Sequence, residues 1–287
     1  MPALMVTLLV QTGLPGVAIT LTYGQLISQL YVEEYTLPFV NMIGCEFCVR
    51  LSLAAEWLGV CHFSHLLFHV TSRMFCRSIR KAELTIRSED NLIIEQGNVE
   101  RQISGALAVE TEHDEPLSFF DVCRYIWSTG ATIGAFLIVA VGIANGYYVL
   151  PTPPAATFIL FALTLCCLFY LEGLMIAIVN TQYWDKDTFK DAYPRAWKIH
   201  ELVNRPDNVK RFIIGRQFFT VLVCFLIAQV STFPTWPADG YDPVGFFILI
   251  RSGLVGVMIV LSCGQLMPEL LAAQYPLKFM DLYGERF

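Results

Sequence analysis

The 287-residue chain is 55% hydrophobic and only 15% charged, and its mean hydropathy is +0.54. A soluble domain usually carries about a quarter charged residues, so this composition excludes a soluble globular protein and predicts an all-α integral membrane protein, a polytopic helical bundle. The formal net charge of −6 lies mostly in loops and argues against a nucleic-acid partner.

The N-terminal region, residues 1–72, contains two apolar stretches that could lie in the membrane. Leu4–Leu21 is long enough to cross a bilayer, and Pro38–Val70 is longer but holds charged residues. Among these, Glu46 and Arg50 are four residues apart on a helix and predict a structural ion pair. The segment between the two stretches either crosses the membrane or is re-entrant, and the sequence leaves both topologies open.

Three histidines form a stripe near the end of the second stretch. His62, His65 and His69 fall on one face of a helix, and three imidazoles there could bind a transition metal. Membrane di-iron enzymes use several such histidine boxes, whereas the other two histidines of this chain are single. A metal-dependent oxidoreductase is therefore the rival hypothesis to transport. Because the further histidine boxes are missing, we expect no metal cofactor.

A polar region, residues 73–123, predicts a cytoplasmic linker, because Lys and Arg in short loops mark the cytoplasmic side. Residues 124–287 form the predicted main membrane domain. The loop Pro151–Pro154 has no Lys or Arg and is predicted to be external, whereas the next loop is rich in both. The predicted spans are Ile126–Leu150, Ala155–Val179, Phe212–Phe233 and Val244–Leu261.

The basic loop between the second and third of these spans predicts a surface helix. Within Asp185–Arg211, the residues Trp197, Ile199, Leu202 and Val203 alternate with charges at helical spacing. This pattern is typical of an amphipathic helix lying along the membrane surface. Such a helix could be a simple interfacial element or part of a gate.

Polar residues at membrane depth are costly, so each is a candidate for a functional role. Glu172 and Gly173 lie near the cytoplasmic end of one span, and Gly215, Arg216 and Gln217 lie about one turn inside the next. Because successive spans are antiparallel, all five are predicted at a similar depth. The two charges could pair, and the glycines could let a ligand approach the backbone. Alternatively, the arginine extends toward the lipid head groups and the glutamate only neutralises it.

The sequence of residues 11–47 is echoed without a gap at residues 251–287. Both copies carry Gly-Gln-Leu, with Gln25 in the first and Gln265 in the second, inside half-apolar segments that resemble the broken or re-entrant elements of transporters. Internal repeats are typical of transporters, whose substrate site lies between the copies. One complete repeat and the start of a second predict a homodimer, or a chain that is part of a longer tandem-repeat protein.

Two motifs on neighbouring spans resemble those of the silicon transporters, which comprise the diatom silicic acid transporters and the silicon-transporter-like proteins. Residues 215–217 match the GRQ motif of that family in full, and Glu172 with the glycine after it matches the start of the EGxQ motif. Met175 stands where the family has Gln, which removes one amide. The two Gly-Gln-Leu segments match a further element of the family. The resemblance covers most of the chain outside residues 73–115.

The resemblance implies a secondary transporter of silicic acid, coupled to sodium and working by alternating access, rather than an enzyme. Silicic acid is a small, neutral, tetrahedral polyol that amides and carboxylates could bind. We expect a multi-pass protein of the plasma membrane, with membrane lipid and the solute as partners; another small neutral solute is the alternative. The implied substrate-binding residues are Glu172, Gly173, Gly215, Arg216, Gln217, Gln25 and Gln265.

Overall fold

The computed structural model describes residues 45–57, 59, 62–75, 118–205, 208–237 and 242–281, with five isolated positions nearer the N terminus. Every regular element in these ranges is a helix, which confirms the predicted all-α class. Predictions on Leu4–Leu21 and on the first Gly-Gln-Leu segment lie outside the described residues. The α-helices are α1 (Cys45–Trp57), α2 (His62–Phe75), α3 (Phe119–Ala144), α4 (Pro154–Thr181), α5 (Lys186–Phe189), α6 (Pro194–Val203), α7 (Asn208–Ser231), α8 (Pro243–Phe246), α9 (Leu254–Ile259), α10 (Met267–Gln274) and α11 (Pro276–Met280).

Four helical stretches in the described part of the chain are long and apolar enough to cross a membrane. They are α3, α4, Arg211–Ser231 within α7, and Leu254–Gln274. At most 39% of the most apolar window of each is buried inside the protein, so the larger part of each surface is available to lipid. This arrangement confirms the polytopic membrane protein that the composition predicts.

The first of these spans is displaced from its predicted position. Helix α3 begins at Phe119 rather than Ile126, and therefore takes in the end of the predicted linker. Its start is fixed by Asp121, whose carboxylate accepts a hydrogen bond of 3.2 Å from the backbone N–H of Ser118. The helix ends at Ala144, before a glycine with φ of +72°, and not at Leu150 as hydropathy suggests.

The long apolar stretch of the N-terminal region is divided into two helices. Gly59 adopts φ of +79°, which a residue with a side chain rarely adopts, and separates α1 from α2. A Cβ at this position would also lie 2.9 Å from Cβ of Arg124. Within α1, the predicted pair forms, since Arg50 Nη2 donates to Glu46 Oε1 at 2.5 Å, with both side chains exposed.

The last span corrects two expectations. The predicted span Val244–Leu261 is interrupted at Gly253, which has φ of +76°, and the membrane-length helix is Leu254–Gln274. The segment around the second Gly-Gln-Leu, predicted to be broken, is instead helical. It runs as a π-helical segment, Val260–Leu266, into α10. Pro268 has no N–H to donate to the preceding turn, which accounts for the altered hydrogen bonding there.

The hydrophobic core consists of two clusters at different heights along the spans. The outer cluster, nearer the predicted external loops, is formed by α3, α4, α7 and α9. The inner cluster joins the C-terminal end of α4, predicted to be cytoplasmic, to α5, α6, α10 and α11. Fully buried members include Ile143, Leu168, Ile227, Val230, Phe233 and Ile259 in the outer cluster, and Ala177, Phe189, Ala196, Ala272 and Leu277 in the inner cluster.

The basic loop between α4 and α7 folds against the protein rather than forming one surface helix. It contains two short helices, α5 and α6, and α6 buries the face made by Ala196, His200 and Val203. His200 Nε2 lies 2.9 Å from the carbonyl oxygen of Thr181 at the end of α4. Leu202, predicted to face apolar surroundings, is 55% exposed. The apolar side of this loop therefore covers the inner cluster.

Replacing Asp281 with alanine is expected to destabilise this loop. Its carboxylate oxygen Oδ1 accepts a hydrogen bond of 3.0 Å from the backbone N–H of Arg195 in the first turn of α6. Loss of such a helix cap costs about 0.5–2 kcal/mol. Thermal unfolding in detergent, followed by tryptophan fluorescence, measures the loss. Asp281→Asn keeps an acceptor oxygen and is the control; equal melting temperatures for the two variants would contradict the capping role.

Candidate functional site

A buried ion pair joins the two predicted motifs. Arg216 Nη1 donates to Glu172 Oε2 at 2.6 Å, and the two side chains are 7% and 10% exposed. Glu172 lies nine residues before the end of α4 and Arg216 eight residues after the start of α7, so each lies about 12–14 Å from the end of its helix that is predicted to be cytoplasmic. The antiparallel packing of α4 and α7 brings the charges together as the sequence predicts.

Hydrogen bonds extend the pair into a polar layer, which we define as Glu172, Arg216, Gln217 and Thr220. Arg216 Nη2 donates to Gln217 Oε1 at 3.0 Å, and Thr220 Oγ1 donates to Glu172 Oε1 at 3.1 Å. All four side chains are buried. Both carboxylate oxygens are therefore occupied, and the alternative in which Arg216 extends toward the lipid head groups is wrong.

The polar layer lies between the two hydrophobic clusters. On α4, Leu168 of the outer cluster lies one turn before Glu172, and Ala177 of the inner cluster lies just over one turn after it. On α7, Val223 of the outer cluster follows Thr220. Apolar side chains on both sides keep water away, so each electrostatic interaction in the layer is stronger than it would be at the surface.

One donor in the polar layer has no partner. Arg216 Nε is buried and makes no hydrogen bond in the described part of the chain. A buried donor without an acceptor costs about 1–3 kcal/mol, and more on a charged group. An oxygen of a ligand or of a water molecule would satisfy it. The layer is thus arranged to receive an acceptor atom beside the ion pair.

The two motif glycines have different surroundings. A Cβ on Gly173 would lie 2.1 Å from Cζ of Phe279, so this glycine makes room for a buried aromatic ring and not for a ligand. The prediction that both glycines serve ligand approach is therefore wrong for Gly173. A Cβ on Gly215 would meet no heavy atom within 4 Å beyond its chain neighbours and its own helix backbone, so the space on this side of α7 is open.

The predicted glutamines are placed unequally. Gln217 is part of the polar layer, whereas Gln265 is half-buried in the π-helical segment and makes no hydrogen bond to the layer within the described residues. Its neighbour Gly264 packs against Leu168, one turn from Glu172, with 2.7 Å between a Cβ placed on the glycine and Leu168 Cδ2. Gln25 lies outside the described residues.

Two residues near the site were not predicted from the sequence. Thr220 lies four residues after Arg216, so helical spacing alone places it on the same face of α7. Glu269 of α10 is half-buried and interacts electrostatically with both Glu172 and Arg216. It was missed because the last span was expected to end at Leu261, and Glu269 fell in the half-apolar segment after it, in which only Gln265 was singled out.

The three histidines of the predicted stripe have different surroundings. His62 is buried, and its ring lies 6.2 Å from that of His65 and 5.2 Å from that of Tyr125, measured between centroids. His69 is exposed. Among the described residues, no three His, Cys, Asp or Glu side chains are grouped so as to hold a metal ion. This geometry gives the oxidoreductase hypothesis no support.

Comparison with known families covers the part of the chain that holds the polar layer. A family model described as Silicon transporter matches residues 116–287, from just before α3 to the last residue. No curated protein and no solved structure matches the chain. The matched stretch includes more than half of the 287 residues and both motifs on which the resemblance depends. The chain therefore belongs to the silicon transporter family.

Proposed function

We propose that the protein is a secondary transporter of silicic acid and that the polar layer is its solute site. The observation that carries this proposal is the unpartnered Nε of Arg216 inside an ion pair that is otherwise neutralised. Because Glu172 already compensates the arginine, a charged ligand is not required, and a neutral molecule with acceptor oxygens fits. Silicic acid presents four hydroxyl groups, each both donor and acceptor.

The surroundings of the layer support a small ligand. Space is open at Gly215, on the turn of α7 that also carries Arg216 and Gln217. Met175, which replaces the family glutamine, is half-buried on α4. A thioether is a weak acceptor and no donor, so the site has one hydrogen-bonding group fewer than its relatives. Because Met175 changes the hydrogen-bonding groups, we propose another small neutral solute as the alternative substrate.

Sodium coupling is supported by the charges around the site. Glu269 interacts electrostatically with both partners of the Glu172–Arg216 pair, so with both carboxylates ionised the described charges at this place sum to −1. A partly buried negative charge favours a cation nearby, because Coulomb interactions are stronger where water is excluded. We propose that this excess charge attracts the coupling sodium ion when the solute binds.

Irregular helix geometry supports movement by alternating access. The last span begins at the left-handed Gly253 and contains the π-helical segment Val260–Leu266, which packs against α4. Non-α segments of this kind are frequent at functional sites and in transporter helices that rearrange. We further propose a plasma-membrane location, and a homodimer or a longer tandem-repeat protein as the working unit, since such sites lie between repeats.

Uptake into proteoliposomes tests the function and the site together. Radiolabelled germanic acid, an analogue of silicic acid, is expected to accumulate when a sodium gradient is imposed. Gln217→Ala should lower uptake about tenfold or more, because Arg216 Nη2 loses its acceptor and the solute loses an amide. Gln182→Ala removes an amide at the end of α4, outside the polar layer, and should leave uptake unchanged.

Two results would count against these proposals separately. Equal uptake by Gln217→Ala and Gln182→Ala would exclude the polar layer as the solute site. Uptake that is the same with sodium and with choline outside would exclude sodium coupling and leave transport intact.

A further inference from the structure

Helix α6 is held at the level where two membrane spans end. His200 Nε2 lies 2.9 Å from the carbonyl oxygen of Thr181, the last residue of α4, and Asn204 Nδ2 donates to the carbonyl oxygen of Gln182 at 3.3 Å. The part of α7 that can cross a membrane begins at Arg211, shortly after α6. Because the spans leave the apolar interior at these residues, α6 lies at the depth of the lipid head groups.

The side of α6 that points away from the protein carries basic residues and one exposed leucine. Lys198 and Leu202 are four residues apart and both exposed, and Arg195 lies one turn before Lys198 on the same side. Arg205 is exposed just beyond the end of the helix. We call Arg195, Lys198, Leu202 and Arg205 the basic face. It lies opposite the side of α6 that packs on the inner cluster, so it is open to the surroundings of the protein.

The positive charges of the basic face are not neutralised within the protein. Glu201 is the one acidic residue between Pro194 and Arg205, so the three basic side chains leave an excess of two positive charges. None of these three side chains forms an ion pair with another described residue. Unpaired cations on both sides of an exposed leucine, at head-group depth, suit a surface that offers phosphate groups above and acyl chains below.

We propose that the basic face binds the head groups of anionic phospholipids. Guanidinium and ammonium groups donate to phosphate oxygens, and Leu202 would reach the boundary of the acyl chains. The loop that contains α6 is predicted to be cytoplasmic, and anionic lipids of the cytoplasmic leaflet attract basic segments next to membrane spans. A soluble acidic partner would have no use for the leucine at this depth. The proposed transport function makes no use of this surface.

Binding on the basic face is expected to stabilise the protein. The opposite side of α6 covers the inner cluster, with His200 and Val203 among the buried residues. A lipid that holds α6 in place therefore also holds this cover in place. Since the lipid binds the folded form and not the unfolded chain, it raises the melting temperature.

Thermal unfolding in neutral detergent micelles tests the proposal. Micelles that contain phosphatidylglycerol should raise the melting temperature of the wild type by about 3 °C or more over micelles with the same fraction of phosphatidylcholine. Lys198→Gln combined with Arg205→Gln should remove most of this difference. Arg251→Gln is the control, because it removes an exposed arginine outside α6, and it should keep the difference.

Salt provides a second measurement on the unaltered protein. At about 1 M NaCl the Debye length falls to about 3 Å, so the difference between the two lipids should largely disappear for the wild type.

Three results would overturn the proposal. The first is an equal melting temperature of the wild type with both lipids. The second is a difference that the double variant keeps in full, which would place the lipid elsewhere on the protein. The third is an equal rise caused by inorganic phosphate without anionic lipid, which would show a site for a free anion and not a lipid surface.

Discussion

Replacing Glu172 with alanine is expected to destabilise the protein more than any other single change at the site. The substitution leaves the guanidinium of Arg216 in an apolar interior without its carboxylate, and it also removes the acceptor of Thr220. Breaking a buried ion pair by removing one partner costs about 3–5 kcal/mol. We expect a much lower melting temperature in detergent and no uptake of germanic acid.

A double variant distinguishes the structural part of this effect from the functional part. Glu172→Gln with Arg216→Gln replaces the buried charges by two amides that can hydrogen-bond to each other, so most of the lost stability should return. Uptake should remain absent, because the guanidinium Nε and the carboxylate are both gone. If the double variant transports like the wild type, the pair only stabilises the fold. Glu46→Gln, in the exposed pair of α1, is the control and should change stability by less than about 1 kcal/mol.

Replacing Gly173 with alanine is expected to have the second-largest effect. The new methyl group would lie 2.1 Å from Phe279 Cζ, and the ring cannot move freely because it is 2% exposed and stacks on Phe169 and Tyr170. Adding a methyl group to a well-packed core costs about 1–3 kcal/mol. Thermal unfolding in detergent should show a clear decrease.

The other motif glycine provides the matched control. Gly215→Ala adds the same methyl group where only its own helix backbone lies within 4 Å, and alanine favours the helix by about 0.5–1 kcal/mol. Its melting temperature should therefore rise slightly. Phe279→Leu added to Gly173→Ala should recover part of the lost stability. Equal effects of the two glycine substitutions would show that Phe279 does not need the space at Gly173.

The ion pair between Glu172 and Arg216 could be predicted because few arrangements of the spans are possible. Consecutive spans are antiparallel, and two opposite charges at the same depth in an apolar bundle pair rather than remain apart. The role of Gly173 could not be predicted in this way. The space left by its missing side chain is filled by the ring of Phe279. This residue lies on a helix distant in sequence, and no local pattern links the two residues.

The ends of the helices were predicted less well than which segments are helical. Hydropathy averages over many residues and does not register a single backbone angle. The helix breaks at Gly59 and Gly253 therefore lie inside stretches that look continuously apolar in the sequence. The same averaging made the region around Pro268 and Glu269 appear too polar to cross the membrane. Both residues lie in the last span, where Glu269 is half-buried and interacts with the charges of the site.

The polar layer lies between two hydrophobic clusters, so a route to it from either side must pass through one of them. The outer cluster covers the layer on one side and the inner cluster covers it on the other. The two clusters are made of different residues on largely different helices, so a change that loosens one leaves the packing of the other unchanged. In the proposed transporter, a leak on one side would therefore not by itself open a continuous path across the protein.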